Sequence, residues 1–158
     1  MRLQGKQWLI LGGSLSIAIA LLHIAIIFGG APAYRYFGAG EEMAELAAAG
    51  SVLPALLTLI LAVIFTLWGL YAFSGAGLIR HLPLLRPGLA VIAGIYTLRG
   101  IGFVPQVFWM IASPQAVAPQ EITFSLASLF VGIVYLVGTI SNWERLAASR
   151  QTAEPENK

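Results

Sequence analysis

Four continuous apolar runs constrain this chain more than any other feature, because about 20 such residues make a helix that crosses a hydrocarbon core roughly 30 Å thick. They cover about 8–29, 51–73, 87–111 and 122–142. A bilayer offers no water to unpaired backbone groups, so only helices or closed barrels can span it. Barrel strands would read as alternating segments of about ten residues, a pattern these runs lack. The expectation is an all-α integral membrane protein: a four-helix bundle with a short interfacial helix in its first outer loop. Composition agrees. Of 158 residues, 58% are hydrophobic and 10% charged, with a mean hydropathy of +0.83, far from a soluble domain.

The runs differ in what interrupts them. The first contains one ionisable residue, His23, and the second contains none and opens on Pro54, whose missing N–H costs little in a first turn. The third carries Arg99 and then meets Pro105, so a kink or break is expected in its outer part. No repeat or linker divides the chain, which reads as one domain over 1–146 with a polar, disordered cytoplasmic tail over 147–158.

Orientation follows from the cations, since cytoplasmic connections carry the excess of Lys and Arg. Arg2 and Lys6 precede the first run, Arg80 and Arg86 lie between the second and third, and Arg145, Arg150 and Lys158 follow the fourth. The opposite side holds Arg35 against Glu41, Glu42, Glu45 and Glu121. Both termini are therefore expected in the cytoplasm of a bacterium, with the spans in its inner membrane. Trp8, Trp143, Tyr34 and Tyr36 fall near span ends, where amphipathic rings favour the headgroup level. A pI near 9.2 does not make a nucleic-acid binder, because nine basic residues spread along the chain form no patch. The basic start and the Ala31-Pro32-Ala33 triplet resemble a signal peptide, but an apolar run of about 20 residues exceeds the usual core of 7–15, so the segment is expected to stay as a span.

The longest outer connection, 29–50, has order of its own. Gly38 and Gly40 mark a turn, and the residues from Glu41 read as a short amphipathic helix ending at Gly50, with Met43, Leu46 and Ala47 on one face. Its leading glutamates favour the positive end of the helix dipole. One reading makes it an interfacial cap; the other makes it a lid that brings a carboxylate to the bundle.

Arg99 most needs a reason, since an arginine inside a span costs at least about 2.5–3.5 kcal/mol. Counting along ideal helices puts Arg99 roughly 18 Å and His23 roughly 22 Å above the inner boundary, nearly level in the outer half. Thr58, Ser125 and Ser128 come to similar depths. This predicts a polar pocket in the outer half, walled by Tyr96, Phe103, Trp109 and Phe124, with Glu41, Glu42, Glu45 or Glu121 as counter-ion to Arg99. The competing reading lets Arg99 snorkel to the outer headgroups or bind carbonyls freed near Pro105, while His23 makes one ordinary hydrogen bond. Gly12-x-x-x-Ser16, Ala90-x-x-x-Gly94 and Ser128-x-x-x-Gly132 are the small-residue spacings that would let helices pack closely. Trp68, Tyr71 and Tyr135 read as filler and belt in the inner half. In the short inner connection, His81 reads as a solvated loop residue.

Absences narrow the chemistry. The chain has no cysteine, which removes disulfides, thiolate metal sites and dithiol redox chemistry. A di-haem site needs paired intramembrane histidines, and the spans contain only His23. There is no His-Glu-x-x-His zinc signature, no glycine-rich phosphate loop, and no carboxylate within a span of the sort cation-coupled exporters use. No cofactor and no metal are expected.

In layout, and in stretches such as Tyr34-Arg35-Tyr36-Phe37-Gly38-Ala39-Gly40-Glu41 and Leu67-Trp68-Gly69-Leu70-Tyr71-Ala72-Phe73-Ser74-Gly75-Ala76-Gly77, the chain resembles the small four-helix inner-membrane proteins of bacteria that are catalogued without known function. The resemblance implies the fold and transfers no activity. Two functional readings stand side by side. One is a non-catalytic accessory protein that docks a larger membrane complex or a second copy, or holds a lipid or apolar small molecule. The other is a small membrane enzyme or transporter with His23 as proton carrier and Arg99 as anion anchor.

Overall fold

Each apolar run folds as a helix. The computed structural model of the chain has four that are long and apolar enough to span a membrane, Gly5–Tyr36, Leu53–Gly75, Leu85–Ala112 and Pro119–Ser141. It describes residues 2–113 and 118–148, and among these every regular element is helical. In chain order they are α1 (Arg2–Tyr36), α2 (Glu41–Ala48), α3 (Leu53–Gly75), α4 (Leu85–Ile101), α5 (Phe103–Ala112), α6 (Pro119–Ser141) and α7 (Trp143–Ala148). The tail expected from 147 onward lies outside the described residues, apart from Ala147 and Ala148 at the end of α7.

Two helices are bent where local chemistry demands it. Gly30 of α1 has φ 60° and ψ −151°, a conformation essentially reserved for glycine. Two residues later, Pro32 has no N–H for the Phe28 carbonyl, so the bend cannot straighten into a regular turn. The last part of α1 thereby brings the buried Tyr34 against Ile26 of α1 and Ala44 of α2. In the third run, α4 stops at Ile101 and α5 begins at Phe103. The break falls ahead of Pro105 because the proline ring opposes the carbonyl four residues back, which is that of Ile101.

α1 lies against both α3 and α6, α4 packs along α6, and α3 meets α4. At two crossings a Cβ in place of a glycine hydrogen would come within 3.0 Å of backbone on the facing helix. A Cβ added at Gly13 of α1 or at Gly69 of α3 would come within 3.0 Å of the other glycine's carbonyl oxygen. A Cβ at Gly100 of α4 would lie 2.5 Å from the Leu129 nitrogen of α6, and one at Gly132 would lie 2.7 Å from the Thr97 nitrogen.

α3 shows which way the elements face. It buries Pro54, Thr58, Ala62, Gly69 and Ala72 while Leu56, Leu57, Ile60, Val63 and Leu67 are turned outward. Small residues inside and large apolar ones outside invert the pattern of a soluble helix, as expected where the surroundings are themselves apolar. The main core lies around Leu9, Leu89 and Tyr135, all fully buried.

Candidate functional site

At the centre, helices from every span are joined by hydroxyl groups. Ser16 of α1 lies 2.8 Å from the Tyr135 hydroxyl of α6 and 3.1 Å from the Tyr96 hydroxyl of α4. Tyr135 donates to the Trp68 carbonyl of α3 at 3.0 Å. Proton bookkeeping then sets a direction, since a phenol has one hydrogen to give. With that of Tyr135 on Trp68, Ser16 donates to Tyr135 and Tyr96 donates to Ser16. Gly12, one turn before Ser16, makes the room: a Cβ there would lie 3.0 Å from the Tyr135 ring.

Aromatic rings fill the space around this chain. Tyr96 stacks on Tyr135 with centroids 5.6 Å apart and meets Trp68 edge-on at 5.0 Å. Phe65 lies edge-on to Trp68 at 5.2 Å, and the His23 ring sits 4.9 Å from Phe65. Every hydroxyl proton of the Tyr96–Ser16–Tyr135 chain is committed, and Ser16 and Tyr135 are fully buried. Such an arrangement ties the helices together.

The residues expected to meet in an outer pocket are placed as follows. Tyr96 belongs to the central chain. His23 is half-buried, and its Nδ1 lies 2.8 Å from the Ile19 carbonyl of its own helix. Thr58 is buried and donates to the Tyr34 hydroxyl at 3.4 Å. Glu41 is engaged by Arg35, with Nη2 to Oε1 at 2.7 Å and Nε to the two carboxylate oxygens at 2.9 and 3.0 Å. That hydrogen-bonded pairing holds the Glu41 carboxyl below its usual range, against a smaller opposing effect of desolvation. A lowered folded-state value means that the pair's contribution is complete at neutral pH and is lost as pH falls through that value. Glu42 and Glu45 are exposed on α2, and Glu121 is half-buried in the first turn of α6. Trp109 is 57% exposed on α5, beside Phe108.

Arg99 stands apart from all of these. It occupies the last turn of α4, is exposed, and makes no hydrogen bond or ion pair with a described residue. Exposed or half-buried on the same side of α4 are Ala90, Val91, Gly94, Ile95 and Leu98. A Cβ at Gly94 would meet nothing within 4 Å, so the Ala90-x-x-x-Gly94 spacing faces away from the rest of the molecule. The other two spacings point inward, with Gly12 and Ser16 on the tyrosines and Gly132 on Thr97.

The end of the bundle that bears α2 is closed by contacts that the sequence does not reveal. Ser125 donates to Gln106 at 2.8 Å, joining α6 to α5. Phe37 stacks on Phe124 at 5.6 Å, and Tyr36 meets Phe124 edge-on at 6.3 Å. Ala44 and Ala47, rather than Met43 and Leu46, lead the packing of α2. Among the described residues, no three of His, Asp and Glu gather to hold a metal. No family model matches the chain, and no curated protein or solved structure matches it significantly.

Proposed function

We propose that the chain is a multi-pass protein of the bacterial inner membrane, a four-helix bundle capped by α2 as an interfacial helix, with both termini in the cytoplasm. Its role is that of a non-catalytic accessory subunit: it docks a partner membrane protein through the outward face of α4, where Arg99 is the binding residue. The partner presents a carboxylate from a spanning helix at the level of Arg99.

The position of Arg99 carries this reading. A guanidinium on an otherwise apolar helix face, with no ion pair to any described residue, lacks a charge within the described residues to neutralise it. In hydrocarbon that is costly, and ionisable groups there pair with a partner or reach a polar boundary. Ala90 and Gly94 beneath it let another helix approach closely. The hydroxyl-tied centre supports an accessory role over an enzyme or transporter built on His23 and Arg99, because the two are not brought together: Nδ1 of His23 bonds within its own helix and Arg99 faces away.

Native mass spectrometry of the protein gently extracted from its own membranes tests the proposal. Wild type is expected to retain one additional protein subunit, Arg99→Ala to lose it, and Arg99→Lys to hold it more weakly, since an ammonium cannot reproduce a bidentate fork. Full retention by Arg99→Lys identifies snorkelling to headgroups instead. A bare wild-type monomer, or equal retention by all three proteins, rules out docking through this face.

A further inference from the structure

The opposite, basic end of the molecule holds a cavity that the reading above does not use. It measures about 250 Å³ and lies where the end of α3, the connection to α4, the start of α4 and α7 come together. Ser74, Gly77, His81, Leu85, Arg145 and Leu146 are among its lining residues. We infer that this cavity is a binding site for a phosphate group, supplied by the headgroup of an anionic phospholipid of the inner leaflet or by free phosphate.

The walls are built rather than incidental. Ser74 sits at the end of α3 and is buried. Its hydroxyl donates to the Arg80 carbonyl at 2.9 Å and accepts from the Leu82 N–H at 2.9 Å. Those two bonds grip the connection on either side of His81 and set it at the cavity wall. Arg145 reaches across from α7 and donates from Nη2 to the Gly75 carbonyl at 2.8 Å. That bond holds Arg145 against the end of α3, where it forms part of the cavity lining. α7 is itself steadied by Arg86, whose guanidinium carbon stands 4.1 Å over the Trp143 ring.

The chemistry of the lining selects the ligand. Arg145 and His81 supply N–H donors, and among the described lining residues there is no carboxylate to repel an anion. A planar guanidinium matches two phosphate oxygens at once. The volume falls below the roughly 300–1,000 Å³ of sites that enclose a whole drug-sized molecule, so it suits a headgroup. Leu85 and Leu146, almost fully buried, give the cavity the apolar floor on which the glycerol end of a lipid rests. Basic pockets between spans on the cytoplasmic side take anionic headgroups in this way.

The test uses the full chain in a neutral detergent. Phosphatidylglycerol, phosphatidylcholine and inorganic phosphate are each titrated, with thermal unfolding and native mass spectrometry as readouts. Phosphatidylglycerol is expected to bind and raise Tm, and phosphatidylcholine to do neither to a comparable extent. A rise with inorganic phosphate alone assigns the site to the free anion, and a rise with phosphatidylglycerol alone assigns it to the lipid. Arg145→Gln is expected to weaken binding roughly ten-fold or more. Because that change also removes the bond to Gly75, His81→Gln provides a second variant outside that bond, with the same direction of effect; circular dichroism confirms that each is folded. Arg80→Gln removes one positive charge from the same connection without touching the cavity lining and should bind almost normally. The inference fails if Arg80→Gln weakens binding as much as Arg145→Gln, or if none of the three compounds raises Tm in a manner that depends on Arg145 or His81.

Discussion

Tyr135 is the side chain on which the centre of the molecule most depends. It is fully buried, stacks on Tyr96, and passes the hydroxyl chain from Ser16 to the Trp68 carbonyl. Hydrogen bonds between spanning helices contribute roughly 0.6 kcal/mol on average and up to about 1.7, so this chain trims a fold held mainly by packing. Tyr135→Phe and Ser16→Ala are each expected to cost about 1 kcal/mol in reversible unfolding in mixed micelles. The double variant should cost less than the sum, because both changes delete the same Ser16–Tyr135 bond. Strict additivity would show that the two hydroxyls do not interact in the folded state. From the sequence, Tyr135 reads as filler and Ser16 as a small packing residue. Their sizes were legible. Their pairing was not, since Ser16 and Tyr135 are 119 positions apart and a hydroxyl in an apolar run carries no mark of its partner.

At the level of elements, what decides close packing is the direction a glycine faces. Gly100 and Gly94 sit on the same helix, yet a Cβ at the first would run into the backbone of Leu129 and one at the second would enter open space. Gly100→Ala is therefore expected to force α4 and α6 apart and cost about 1–3 kcal/mol, the usual range for overpacking. Gly94→Ala should be neutral or stabilise by up to about 1 kcal/mol, through helix propensity alone. Unfolding of the two variants side by side checks this, and equal losses would mean that the two faces are equivalent. The small-residue motif at Ala90 and Gly94 was visible in the sequence, and so was size; the face was hidden. In a soluble helix polar residues reveal the outward side, whereas here Leu98 and Ile95 point out while Leu89 and Ile92 point in. The break before Pro105 was legible because proline acts on its own helix, through the carbonyl four residues back. The bend at Gly30 was not, since nothing in Gly29-Gly30-Ala31-Pro32 says which glycine takes the left-handed φ.

Across the whole molecule, the features written in the sequence as lengths and charges were the readable ones. Four helices of spanning length and hydropathy are present where the apolar runs lie, and the short helix after Gly40 is there as well. The polar side chains expected at a common depth are engaged separately: Arg99 faces outward, His23 bonds within α1, and Glu41 is paired with Arg35. Depth follows from counting residues, but azimuth follows from packing, and only the first can be read from one chain. Orientation is again a matter of counting, so it can be predicted from the cations alone. The chain contains no cysteine, which makes single substituted cysteines clean reporters. Ala39→Cys lies in the turn between α1 and α2, and Leu78→Cys lies in the connection after α3, both at exposed positions. In intact cells whose outer membrane is permeable to it, a thiol reagent that cannot cross the inner membrane should label Ala39→Cys and reach Leu78→Cys only after that membrane is opened. The reverse pattern would put Arg35 and the α2 glutamates in the cytoplasm, and would move Arg99 from the outer to the inner half of the bilayer. Labelling of both positions in intact cells would mean that α3 does not cross.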